Sequence, residues 1–270
     1  MISRQPALVG GLLAAIAAAA IALVWLGLPV GGEDGPAPMT AVIIDQLSLT
    51  SPDQAFVDNA TRTLQAAGYT VDYVPGAQVT VDYYRELPER NYGLVLVRGH
   101  SGFVLRDPRP PGEARGAQDT FLFTGEPYSD KHVDDRRARR LSVAYYLDTG
   151  LEDLDLDGLM RAYETEPRYF GIKPGFIQSS THGRFHHTTV VLMGCNGLAT
   201  ESLARAFVRK GARAVIGWDE SVTAVHTDAA TERLLGHLLG ERLSTEEAVA
   251  RTAAEVGPDP TYGGKLDVYE

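Results

Sequence analysis

The chain has 270 residues, 44% of them hydrophobic, enough for one full core or two small ones plus a targeting segment. Its 25 basic residues are outnumbered by 35 acidic ones, and the resulting formal charge of -10 repels phosphate backbones and excludes nucleic acid as an expected partner. One cysteine, Cys195, rules out an intrachain disulfide, and cysteine usage leaves the redox compartment open.

From Ala7 to Val30 no charged residue occurs, and the run is long enough as helix to cross a hydrocarbon core of about 30 Å. It reads as an uncleaved transmembrane signal anchor; a cleavable signal peptide, which would leave the protein secreted, is the alternative. Arg4 precedes the run, whereas Glu33 and Asp34 follow it. The positive-inside rule therefore makes residues 1–6 a short cytoplasmic tail and puts the remainder outside the cytoplasm, single-pass at the cell membrane. Residues 31–38, Gly-Gly-Glu-Asp-Gly-Pro-Ala-Pro, form a linker, and a folded body spans 39–270.

In the body, apolar runs predict strands over 41–45, 70–74, 92–97, 188–193 and 214–218, with a last edge strand over 265–269. Helical periodicity predicts helices over 52–67 (closed by Gly68), 79–87, 200–210, 227–239 and 245–254. Strand and helix alternation of this kind predicts an α/β fold with a mostly parallel central sheet and helices on both faces. Between about 103 and 187 the periodicity breaks down, which marks a large insertion between two central strands.

That insertion holds three further candidates. Arg136-Arg137-Ala138-Arg139-Arg140 is a basic cluster that reads first as solvated surface. Asp153, Asp155, Asp157 and Gly158, followed by Glu164, have the spacing of a calcium loop, although leucines fill the intervening positions and an acidic turn leading into a helix fits as well. His182, His186 and His187 are three imidazoles without a cysteine or carboxylate to complete a zinc spacing, and a substrate-lining loop or plain surface is the better reading.

In parallel sheets, reactive groups gather beyond the carboxyl ends of strands. Two such ends carry them here: Leu94-Val95-Leu96-Val97-Arg98-Gly99-His100-Ser101-Gly102, and Val190-Val191-Leu192-Met193-Gly194-Cys195-Asn196-Gly197. If the strands are neighbours, His100 and Cys195 emerge side by side, as a thiol nucleophile and its base require. Ser101, Gly102 and Gly194 would bring backbone amides close to a developing oxyanion.

These two segments resemble the caspase-like clan of cysteine peptidases, which includes gingipain, clostripain, separase and the CHAT domain. Met193-Gly194-Cys195-Asn196-Gly197 is most similar to the separase and CHAT form. Residues 214–219 and 228–235 resemble the strand and helix that follow. The family usually has glycine directly after its histidine; here Ser101 stands there and Gly102 follows. The resemblance implies a three-layer α/β/α sandwich, an endopeptidase acting on protein or peptide substrates, a His100–Cys195 dyad and no cofactor for the chemistry; the apolar run 7–30 would make that endopeptidase membrane-anchored and extracytoplasmic. Some relatives use calcium for stability. It further implies that Trp218 and Asp219 form part of the pocket for the residue before the scissile bond, with Asp219 complementing Arg or Lys, and such a preference would make Arg137 or Arg140 in the basic cluster a self-cleavage site. Two other readings stand beside it: an inactive caspase-like surface domain that binds a partner, and a serine hydrolase at Ser101. The second lacks the glycine that a nucleophile elbow needs two residues on, where Phe103 stands.

Overall fold

The computed structural model of the protein describes residues 37–103, 119–146, 161 and 164–270. The apolar run 7–30 and the acidic positions Asp153, Asp155 and Asp157 lie outside these residues, and among the described residues no helix is long and apolar enough to cross a membrane.

Strand β1 (Thr40–Asp45) opens the body and is followed by a 3-10 turn, Gln46–Leu49, and by α1 (Gln54–Ala66). Asp53 caps that helix by accepting the Phe56 amide, which sets its start two residues later than hydrophobic periodicity places it. Strand β2 (Thr70–Pro75), α2 (Val81–Glu86) and β3 (Leu94–Arg98) complete the first half. After an intervening segment come β8 (Thr189–Leu192), α5 (Glu201–Arg209), β9 (Ala214–Trp218), α6 (Ala224–Leu235), α7 (Thr245–Val256) and β10 (Leu266–Tyr269). The main sheet has the order β10-β9-β8-β3-β1-β2, parallel throughout except for the antiparallel edge strand β10.

Near-continuous apolar runs make these strands because both of their faces are buried. Val42, Ile44, Val95, Val97, Val190, Leu192 and Val215 point to one face, where Tyr84 of α2 and Leu203 and Phe207 of α5 cover them. Ala41, Ile43, Leu94, Leu96, Val191 and Ile216 point to the other, under Phe56 and Leu64 of α1, Leu234 of α6 and Val249 of α7. The protein is thus an α/β domain with a mostly parallel central sheet and helices around it.

The segment between β3 and β8, expected as an unpatterned insertion, contains a second sheet. Strands β4 (Ser101–Phe103), β5 (Thr120–Pro127), β6 (Leu141–Tyr145) and β7 (Arg168–Ile172) pair antiparallel in the order β4-β5-β7-β6, with the short helices α3 (Val133–Arg137) and α4 (Pro174–Ser179) beside them. This sheet begins at Ser101, two residues before the expected boundary, and Leu122, Leu141, Phe170 and Ile172 join the main core. Its opposite face carries Phe121, Phe123 and Ala144.

Candidate active site

Strands β3 and β8 are hydrogen-bonded neighbours in parallel register, Val97 opposite Leu192. His100 and Cys195 each follow three residues later, so both leave the carboxyl edge of the sheet side by side. The two turns touch. A Cβ on Gly194 would stand 2.2 Å from the Gly99 carbonyl oxygen, and the Ser101 hydroxyl donates to the Cys195 carbonyl. Glycine at 194 is therefore what lets the thiol-bearing turn close against the imidazole-bearing one. Asn196 follows with φ 57, a left-handed turn that asparagine tolerates, and its amide donates to the Glu220 carbonyl at 2.8 Å.

The half-buried thiol is held from the β9 side. Its S–H can donate to the Val222 carbonyl, and the Val222 amide donates to Sγ, each at 3.5 Å. Val222 is fixed by a loop at the C-terminal end of the chain: Asp259, buried, accepts both the amide (2.9 Å) and the hydroxyl (2.8 Å) of Thr223.

His100 is held from the β1 side. Its backbone amide donates to Gln46 Oε1 at 2.9 Å, its Nε2 meets the Thr50 hydroxyl at 2.9 Å, and its ring packs on Phe123 and Tyr146. Nε2 is thus engaged by Thr50, and no described hydrogen bond engages Nδ1. Burial, and next the charge of Arg98, lower its pKa to about 4, so the imidazole is neutral at pH 7. Among the described hydrogen bonds none joins His100 to Cys195; the two side chains share an edge, each anchored on its own flank.

Beneath them lies a buried ion cluster. Arg98, 0% exposed, gives Nε and one terminal nitrogen to the two oxygens of Asp228 at 2.9 and 2.8 Å, and the other terminal nitrogen to Asp45 at 2.8 Å. It also donates to the Ser51 carbonyl. Desolvation works against the guanidinium's charge, but the hydrogen bonds it donates to Asp228 and Asp45 outweigh it and hold the guanidinium above its ordinary pKa.

The remaining candidates are scattered. Gly102 stands opposite Phe121 within the β4–β5 pairing. Trp218 is a core residue, 1% exposed, that donates its indole N–H to the Thr227 hydroxyl. Asp219 accepts the Lys265 amide. Arg137 is exposed on α3, whereas Arg140 donates to the Ser180 hydroxyl and lies 3.6 Å from Asp135. Glu164 is exposed, and His182, His186 and His187 are exposed and do not converge; among the described residues no group of His, Cys, Asp and Glu is placed to hold a metal. Gln46, Thr50, Tyr146, Val222 and Arg98 were not singled out by sequence, because their link to the site is set by tertiary pairing. The polar residues closing β1 and β3, Asp45-Gln46 and Arg98, were the available signal. A scan against protein-family models gives no match, and neither does a search of curated proteins.

Proposed function

We propose that the chain is a cysteine endopeptidase with a three-layer caspase-like architecture, in which Cys195 attacks the peptide carbonyl and His100 carries the proton. The observation that supports this best is the β3–β8 register, with Gly194 packed on the Gly99 carbonyl, which puts the thiol-bearing and imidazole-bearing turns against one another. In the reaction Sγ forms a bond to the carbonyl carbon, the thiol proton passes to His100, and the carbonyl π electrons move to oxygen. As the tetrahedral intermediate collapses, the C–N bond breaks and the imidazolium protonates the leaving nitrogen. Water then hydrolyses the thioester. An imidazolium with a pKa of about 4 is a strong proton donor, which weights His100 towards leaving-group protonation. The Val222 amide, already on Sγ, would stabilise a thiolate.

Under this reading the apolar run 7–30 tethers the domain at the outer face of a membrane. Basic preference before the scissile bond would rest on Asp219, and calcium would act through the acidic loop at 153–164. The competing reading is an inactive binding domain. It is favoured by one observation, that the thiol's hydrogen-bond partners come from Val222.

The test is hydrolysis of fluorogenic peptides with Arg, Lys, Asp, Asn or Leu before the reporter, by the full chain and by its Cys195→Ala variant, with and without calcium. Cleavage abolished in the variant is the expected result and identifies the preferred residue. Silence across the panel, together with no accelerated alkylation of Cys195 by an electrophilic peptide, would replace the peptidase with the binding domain.

A further inference from the structure

The groups that fix His100 come from outside its own strand, and two of them connect the main sheet to the second. Gln46, 0% exposed in the turn after β1, uses both ends of its amide: Oε1 accepts the His100 N–H, and Nε2 donates to the Tyr146 hydroxyl. Tyr146 directly follows β6 of the second sheet, and its ring lies 5.0 Å from the imidazole with Phe123 stacked behind it at 5.4 Å. The approach is close, since a Cβ at Gly99 would stand 3.2 Å from that of Gln46. A buried amide with both ends engaged has one orientation, because turning it over would set donor against donor.

We propose that Gln46 and Tyr146 are positioning residues that set the His100 imidazole, so that the reactivity of the Cys195 edge depends on docking of the second sheet. This rests on the reading of His100 as the proton carrier. The titratable and charged groups around the ring are Arg98 of β3, compensated by Asp45 of β1 and Asp228 of α6, the Cys195 thiol beyond β8, and the phenol of Tyr146, which burial keeps protonated. Arg98 is the charged group that moves His100, so a carboxylate introduced at Gln46 has a distinct signature.

The test uses the full chain with Gln46→Glu, Gln46→Met and Tyr146→Phe. It reads the His100 titration by NMR, assigned with His100→Gln, the pH dependence of Cys195 alkylation by iodoacetamide, and kcat and KM on the preferred peptide. Gln46→Glu keeps the acceptor for the His100 amide and adds negative charge, so the His100 midpoint should rise from about 4 by roughly one unit or more. Gln46→Met should lower kcat roughly tenfold, and Tyr146→Phe several-fold, with KM within about twofold of wild type. An unmoved His100 midpoint in Gln46→Glu, with unchanged kcat in Tyr146→Phe, overturns the proposal even if peptides are cleaved. If wild type cleaves no peptide, the peptidase reading fails, and the NMR and alkylation profiles decide the positioning claim by themselves. Gln46→Glu and Tyr146→Phe preserve side-chain volume, so the test survives a Gln46→Met variant that does not fold.

Discussion

Arg98 is buried and donates to two carboxyl groups, those of Asp45 and Asp228, so a single guanidinium holds the cluster beneath the candidate site together. Such clusters contribute little net stability compared with apolar packing, but removing one member strands the others. Arg98→Met leaves Asp45 and Asp228 buried without their cation and should cost about 3–5 kcal/mol, read as a lowered urea midpoint at pH 7. A loss below about 1 kcal/mol would mean that water reaches the carboxylates. His100 supplies a second residue-scale prediction. Its folded pKa of about 4 lies below the ordinary value of 6.5, so the unfolded chain binds more protons between these pH values. Stability attributable to His100 is therefore undiminished above pH 6.5 and falls as pH drops towards 4, by at most about 3 kcal/mol. His100→Gln should remove this part of the acid sensitivity, visible as a stability gap between wild type and variant that changes across pH 7 to 4. On the proposed peptidase reading, the acid limb of hydrolysis should lie near 4; a limb at 6.5 would show a solvated imidazole.

At the scale of elements, the site depends on how closely the ends of β3 and β8 approach. Gly194→Ala forces a methyl onto the Gly99 carbonyl, an immovable backbone atom, and should destabilise by about 1–3 kcal/mol while abolishing hydrolysis. Gly236, in the helical continuation of α6, has nothing within 4 Å of an added Cβ. Gly236→Ala should therefore be neutral or stabilising by up to about 1 kcal/mol, and thermal melts of the two variants check the contrast. The same elements show what could be read from sequence. Strands β3, β8 and β9 are legible because burial on both faces demands an uninterrupted apolar run, and α5 because its buried Leu203, Ala206 and Phe207 recur at helical spacing. The second sheet is not. Phe121-Leu122-Phe123 is apolar on both faces in a strand flanked by polar and turn residues, and β4 has only three residues. Glycines at 102 and 171 are the floor on which Phe121 lies, with an added Cβ only 3.1 and 2.5 Å from its ring.

For the whole molecule, the distinction is between pairings set locally and pairings set by the fold. That His100 and Cys195 share a sheet edge was legible because each ends its own strand and parallel neighbours align their carboxyl ends. The Arg98–Asp228 and His100–Gln46 contacts span 130 and 54 residues, and nothing in local pattern announces them. The second sheet between β3 and β8 is part of the same body. Leu122, Leu141, Phe170 and Ile172 belong to the same hydrophobic cluster as Val95, Val97, Val190 and Leu192, and the second sheet reaches the imidazole through Tyr146. A shared core exposes apolar surface from both sheets if either opens, so the two should unfold together. Native-state hydrogen exchange should give the amides of Phe123 and Phe170 the same opening free energy and denaturant slope as those of Val95 and Val191. A markedly smaller free energy and slope in the second sheet would instead make it a separately opening unit. In that case His100 would lose its Tyr146 contact in a fraction of molecules without global unfolding, and any reactivity proposed for the Cys195 edge would follow that local equilibrium.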